Sequence, residues 1–140
     1  MSQDFTKRLS IVVRGDLPTW QALNAVAHIS AYVGNKIGSS FGTEEYFVTQ
    51  DNVNHPRNSQ YPFIVLKASS DQMRGFIDDV RKSELLYLGF IREMIETTDD
   101  AEIEKILAKK IDADIEYLGI GVFGTHEEVK TLTKKFSLWK

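Results

Sequence analysis

The chain has 140 residues, of which 42% are hydrophobic and 26% charged, as is usual for a soluble globular protein with one domain over residues 1–140. It contains no cysteine, which excludes disulfides, zinc–thiolate sites and cysteine nucleophiles. Its formal net charge of −3 argues against broad, non-specific binding of nucleic acid. Because it has neither a signal peptide nor an apolar run long enough to cross a membrane, we expect a cytoplasmic protein without a membrane partner.

The chain begins with a predicted strand and a predicted helix. A continuous apolar run over Leu9–Arg14 predicts a central strand that is buried on both faces. Gly15-Asp16 supplies a turn. The helix expected over Trp20–Gly34 is apolar on nearly all sides, so we expect other elements to cover more than one of its sides.

The rest of the chain alternates between strands and helices. Capping boxes at Ser69–Gln72 and Thr125–Glu128 each precede an amphipathic pattern, and a third helix is predicted over Asp99–Lys110. The segment from Asp51 to Gln60 is predicted to be a polar loop. The expected strands are Phe63–Lys67, Leu85–Phe90 and Ile115–Val122, with a short strand near Glu44–Thr49 and an edge strand at Phe136–Trp139.

This alternation is typical of α/β proteins. We predict a single three-layer domain, in which a mixed, mainly parallel sheet of four or five strands carries helices on both faces. In such folds, functional side chains usually follow the carboxyl end of a strand and lie at the start of the next helix.

A polar stripe on the first predicted helix is the candidate site. At about 100° per residue, Gln21, Asn24, His28 and Asn35 share one narrow face of the helix. One interpretation is a solvated helix edge. In the other, the stripe lines a cleft, because amides can hold a carbonyl group and a histidine can shuttle a proton near neutral pH.

Residues at the start of this helix and after the preceding strand complete the candidate cleft. Trp20 is either a stacking residue at the cleft or part of the core. Glu93, which follows the third strand, is either a carboxylate of the cleft or a solvated glutamate at a helix start. The residues assigned to substrate binding are Arg14, Asp16, Thr19 and Trp20.

Other motifs favour structural roles. His55 and His126 are interpreted as surface histidines, and the three histidines lack the spacing of metal ligands, so neither a metal nor a cofactor is expected. Gly119 and Gly121 fall within a strand, where they allow another element to approach closely.

Several segments together resemble type 2 peptidyl-tRNA hydrolases. They are Ile11-Val-Val-Arg14-Gly-Asp16-Leu17, the pair Ala27-His28, Phe63-Ile-Val-Leu-Lys67-Ala-Ser, Tyr117-Leu-Gly-Ile-Gly121 and Lys135-Phe-Ser-Leu-Trp139. Pro18-Thr-Trp-Gln-Ala-Leu-Asn24 more closely resembles an uncharacterised family, domain of unknown function 2000, that shares the fold. The resemblance implies a mixed sheet flanked by helices and, in many members, a homodimer.

The chain departs from the hydrolase pattern at the catalytic positions. Gln21 stands where the resemblance places a catalytic lysine, and Ala25 where it places a glutamine. Arg92-Glu93-Met94-Ile95 replaces the segment that supplies a catalytic aspartate. Because Gln21 cannot stabilise a developing oxyanion with a positive charge, we expect peptidyl-tRNA hydrolysis to be weak or absent.

Two hypotheses about function follow from these residues. The first is a binding protein that kept the cleft and lost the lysine, and that recognises a small ligand or an acyl- or nucleotide-type molecule. The alternative is a hydrolase of peptidyl-tRNA or another acylated substrate that uses Gln21, Asn24, His28 and Glu93. A small-molecule ligand, tRNA and a second copy of the chain are the partners considered.

Overall fold

The computed structural model describes residues 3–43 and 45–140, and its strands form two sheets. The strands are β1 (Lys7–Arg14), β2 (Tyr46–Val48), β3 (Asn54–Pro56), β4 (Phe63–Ala68), β5 (Leu86–Ile91), β6 (Tyr117–Thr125) and β7 (Ser137–Leu138). Five of them form the main sheet in the order β5-β6-β1-β4-β7, and β2 pairs with β3 in a separate hairpin. The four main predicted strands and the predicted edge strand are therefore present, with β1 in the centre.

The helices follow the predicted amphipathic patterns. They are α1 (Thr19–Ile37), α2 (Ser70–Ser83), α3 (Glu93–Glu96), α4 (Asp100–Leu107) and α5 (His126–Thr133). The capping box at Ser69 is complete, with the side chains of Ser69 and Gln72 each accepting a backbone N–H of the other residue. Among the described helices, none combines the length and the hydropathy of a membrane span.

The prediction that the sheet is mainly parallel is wrong. Only β1 and β4 run parallel, while the β1–β6, β5–β6 and β4–β7 pairs are antiparallel. The reason lies in the segment between β5 and β6, which was expected to cross the sheet as a β-α-β unit does. The backbone N–H of Arg92 instead donates to the carbonyl of Glu116 (3.1 Å), so this segment leaves and re-enters the sheet at the same end.

Alternate residues of β1 face two separate hydrophobic clusters. Leu9, Ile11 and Val13 pack with buried residues of α1, whereas Val12 packs with residues of α2 and α5. Successive side chains of a strand point to opposite faces of the sheet, so α1 covers one face while α2 and α5 cover the other. This is why the run Ile11-Val12-Val13 is apolar on both faces of the strand.

Two glycines of β6 determine how closely α1 lies against the sheet. A Cβ atom added at Gly119 would be 3.3 Å from the Cβ of Ala25 and from the Cδ1 of Ile29. One added at Gly121 would collide with the Cγ2 of Ile29. The prediction that these glycines allow close approach is confirmed.

The hairpin of β2 and β3 differs from the prediction. The short strand expected at Glu44–Thr49 is present as β2, but it pairs with β3 outside the main sheet. Glu44 itself lies outside the described residues. The predicted polar loop from Asp51 to Gln60 contains β3, because a tight turn at Thr49–Asn52 brings the chain back on itself.

Candidate functional site

The carboxyl end of β1 leads directly into a cluster of charged side chains. The Arg14 guanidinium donates to both carboxylate oxygens of Asp16, at 3.0 and 2.7 Å, and to Oε1 of Glu116 at 2.5 Å. Arg92 donates to the two oxygens of Glu116 at 3.1 and 2.9 Å. We call Arg14, Asp16, Arg92 and Glu116 the arginine cluster.

Charge within the arginine cluster is balanced, since two arginines face two carboxylates. The hydrogen bonds from Arg92 are the main cause that lowers the pKa of Glu116 to about 2 from its ordinary 4.5. The hydrogen bond from Arg14 likewise lowers the pKa of Asp16. The two guanidinium groups are therefore engaged by carboxylates of the chain itself.

A groove of about 810 Å³ lies beside this cluster, between α1, β5 and the α3–α4 segment. We call it the α1 groove. The α1 wall is formed by Trp20, Asn24, His28, Ala31, Tyr32 and Asn35. The floor is formed by Leu88 and Phe90. The opposite wall is formed by Met94, Ile95, Thr97, Thr98, Asp100, Ile103 and Glu104.

The α1 wall carries most of the predicted polar stripe. Asn24, His28 and Asn35 lie on the side of the helix that faces the groove, while the buried residues on the opposite side pack on the sheet. The His28 ring stacks on Phe90 of the floor, with ring centroids 5.4 Å apart and planes 20° apart. Trp20 is 60% exposed, so it belongs to the groove wall and not to the core.

The structure does not bring all the predicted site residues together. Trp20, Asn24 and His28 meet in the α1 groove. Arg14 and Asp16 belong to the arginine cluster. Gln21 lies beside that cluster, because its Oε1 accepts a hydrogen bond from Arg92 at 3.2 Å. Thr19 is exposed in the first turn of α1 and lines neither region.

Glu93 belongs neither to the lining of the α1 groove nor to the arginine cluster. It is 4% exposed, and its Oε1 accepts a hydrogen bond from Nζ of Lys110 at 2.8 Å, which raises the pKa of Lys110. Its Oε2 is buried without a hydrogen-bond partner among the described residues. Because Glu93 and Lys110 flank the α3–α4 segment, their pair holds together the two ends of the groove's second wall.

Sequence reasoning did not identify this second wall. The helix predicted over Asp99–Lys110 is shorter, because α4 ends at Leu107. Asp100 and Glu104 are four residues apart, a spacing that places them on one side of a helix. That spacing was visible, but only the fold shows that this side faces α1 across the edge of β5.

Comparison with known proteins identifies a family and a similar fold. The sequence model of the family described as "Protein of unknown function (DUF2000)" matches residues 7–140. No curated protein matches the chain.

One solved structure shares the fold, that of the protein of unknown function Atu0240 from Agrobacterium tumefaciens strain C58. It is 20% identical, with a TM-score of 0.83, and the similarity covers 96% of this chain and 98% of that one. Because the family match extends over nearly the whole chain, the protein belongs to the DUF2000 family.

Proposed function

We propose that the protein binds a small organic ligand in the α1 groove. The observation that carries this proposal is the groove itself, which has stacked aromatic rings on one side and a few polar groups around an apolar floor. Its volume of about 810 Å³ lies in the range of ligand pockets, roughly 300–1,000 Å³. Asn24 and Asn35 supply amide groups that can orient a polar part of the ligand.

We also propose that the protein has a three-layer fold like that of type 2 peptidyl-tRNA hydrolases. Support comes from the helices on the two faces of a mixed sheet. The comparison structure adds the shared fold alone, since it too is of unknown function.

Charge argues against a nucleotide or tRNA as the occupant of the α1 groove. Among the described residues that line it there is no lysine or arginine, the side chains that most commonly bind phosphate groups. The two guanidinium groups of the arginine cluster, those of Arg14 and Arg92, already bind Asp16 and Glu116. Of the ligands considered, a small molecule without phosphate fits best.

Geometry gives the hydrolase alternative less support than the binding function. No carboxylate in the described part of the chain hydrogen-bonds His28 to orient it as a general base. Glu93 contributes no oxygen to the groove lining and is paired with Lys110. Gln21 is held by Arg92, so three of the four proposed catalytic residues lack the arrangement that the reaction needs.

A pair of matched substitutions tests the binding proposal. Ala31 lines the groove, whereas Ala27, one turn earlier on α1, is exposed outside it. We expect Ala31→Trp to fill the groove and to weaken ligand binding at least about tenfold, since the larger side chain occupies the ligand's volume. Ala27→Trp should leave binding unchanged.

Binding can be measured by two-dimensional amide NMR during a screen of neutral, cationic and anionic fragments. We expect hits to shift amide signals of Trp20, His28 and Phe90 in wild type and in Ala27→Trp, but not in Ala31→Trp. Hits that bind all three proteins equally would place the site elsewhere. If no fragment of any charge binds wild type at millimolar concentration, the proposed function is wrong.

We also propose a homodimer, the partner implied by the resemblance. Large apolar side chains are exposed on α1, at Trp20 and Leu23, and on the β2–β3 hairpin, at Tyr46, Phe47 and Val48. Groups of exposed apolar side chains, such as the three consecutive residues of the hairpin, often mark a protein–protein contact. Sedimentation equilibrium measures the assembly directly.

A further inference from the structure

We propose that the ligand of the α1 groove is an organic cation, such as an ammonium group carried on an apolar or aromatic body. This inference rests on the proposed function. The groove and its stacked rings define the site, and the charges of its second wall determine the sign of the ligand's charge.

Among the described residues that line the groove, Asp100 and Glu104 are the only aspartate and glutamate, and there is no lysine or arginine. One turn of α4 separates them, so both lie on the side of the helix that faces the groove. Two like charges at this spacing repel each other, and a cation between them relieves that repulsion.

Within residues 3–43 and 45–140, these two carboxylates have no partners. Neither makes a hydrogen bond or an ion pair with its side chain to any described residue, whereas the neighbouring Glu102 accepts a hydrogen bond from Oγ1 of Thr97 at 2.7 Å. Other acidic groups of the fold have arginine partners, as Glu116 has Arg14 and Arg92, and Asp112 has Arg74 and Arg81. The α1 groove therefore offers negative charge that the chain does not neutralise.

Aromatic rings on the opposite side fit the same kind of ligand. Trp20 is exposed at the wall, and His28 lies stacked on Phe90. The exposed Trp20 ring can attract a cation and cover an apolar body, whereas Phe90 is 1% exposed and lies beneath the His28 ring. Tyr32 is less available for this role, because Nζ of Lys36 is already 5.5 Å from the centre of its ring.

The competing explanation is that the acidic pair only stabilises the α4 helix. Asp100 lies in the first turn of α4, where a negative charge is favourable beside the helix dipole. If the pair served only the helix, neutralising it would change stability and leave the preference among ligands unchanged. The test therefore measures the preference for a cationic ligand over neutral and anionic ligands.

Three probes share one body and differ in charge: phenylbutylammonium, phenylbutanol and phenylbutyrate. Dissociation constants are measured by amide NMR titration at low ionic strength and at about pH 8, above the usual titration range of histidine side chains. For wild type we expect the ammonium probe to bind about tenfold more tightly than phenylbutyrate, because an exposed ion pair and a cation–π contact each contribute modestly.

The double variant Asp100→Asn with Glu104→Gln should lose this preference while still binding phenylbutanol. The matched control neutralises Asp71 and Glu127, which lie in the first turns of α2 and α5, away from the groove. The control (Asp71→Asn with Glu127→Gln) has the same net charge as the test variant and should keep the preference for the ammonium probe.

The outcomes separate the two proposals. If wild type binds phenylbutanol or phenylbutyrate at least as tightly as phenylbutylammonium, the cation inference is wrong and the proposed function stands. A preference that survives in the Asp100/Glu104 variant would also overturn the inference. Failure of all three probes and of the wider fragment screen would overturn the proposed function itself.

Discussion

The arginine cluster and the α1 groove are neighbours along α1, yet they handle charge in opposite ways. In the cluster, two arginines and two carboxylates satisfy one another through hydrogen bonds of 2.5–3.1 Å. In the groove, Asp100 and Glu104 face aromatic rings without an ionic partner among the described residues. Charges that are already paired hold the fold together, whereas unpaired charges beside a cavity are available to a ligand.

The largest expected effect comes from moving α1, which supports both regions. Gly121→Ala introduces a Cβ atom that collides with Cγ2 of Ile29, so α1 must shift or Ile29 must change its rotamer. We expect a loss of about 1–3 kcal/mol in the free energy of unfolding. Urea denaturation followed by circular dichroism measures it.

Gly75→Ala is the matched control for this substitution. An added Cβ at Gly75 has no neighbour within 4 Å, and the position lies inside α2. There the change should stabilise the fold by about 0.5–1 kcal/mol, because alanine loses less backbone entropy than glycine. Equal effects at the two positions would show that close packing of α1 on β6 is unimportant.

A smaller effect is expected from breaking the arginine cluster. Glu116→Gln removes the charge that Arg14 and Arg92 share, and should cost about 1–2 kcal/mol, since the site is partly exposed to water. Asp114→Asn, which makes the same charge change two residues earlier, should cost less than about 0.5 kcal/mol.

The pH dependence of stability gives a second test of the role of Glu116. In the folded state the pKa of Glu116 is about 2, below the ordinary 4.5. Its contribution to the free energy of unfolding is therefore fully present above about pH 4.5 and is lost as the pH falls towards 2. The stability difference between wild type and Glu116→Gln should therefore shrink over this interval. A difference that stayed constant between pH 5 and pH 2 would contradict the assignment.

The smallest expected effect is that of neutralising the acidic pair of the groove. Asp100→Asn with Glu104→Gln loses a favourable charge at a helix start and also relieves a repulsion, so stability should change by less than about 0.5 kcal/mol. Thermal and urea denaturation of this variant and of Glu116→Gln compare the two regions directly. A larger loss in the groove variant would mean that its carboxylates have structural partners.

Local patterns predicted much of this fold. The central strand β1, the capping box at Ser69 and the polar stripe of α1 follow from an apolar run, capping chemistry and helical periodicity, which depend on residues close in sequence. Trp20, Asn24 and His28, which the helical period groups on one side of α1, line one groove, whereas Arg14, Asp16 and Gln21 do not line it.

The remaining features depend on contacts between distant segments. The antiparallel pairing of β6 with β1 cannot be derived from the alternation of strands and helices, because a connection can return to the end of the sheet from which it left. The bond between Gln21 and Arg92 and the pair of Glu93 with Lys110 each join parts of the chain whose separation in space is set by the fold.

The position of β1 has a consequence for synthesis on the ribosome. Leu9 of β1 pairs with Phe63 of β4 and with Phe123 of β6, so β1 gains its second neighbouring strand only after β6, more than 100 residues later, has been translated. Until then β1 can pair with β4 alone, and the residues of α1 that pack on β6 in the folded protein lack that part of the sheet. An incomplete sheet exposes apolar surface and an unpaired strand edge, and both features favour aggregation.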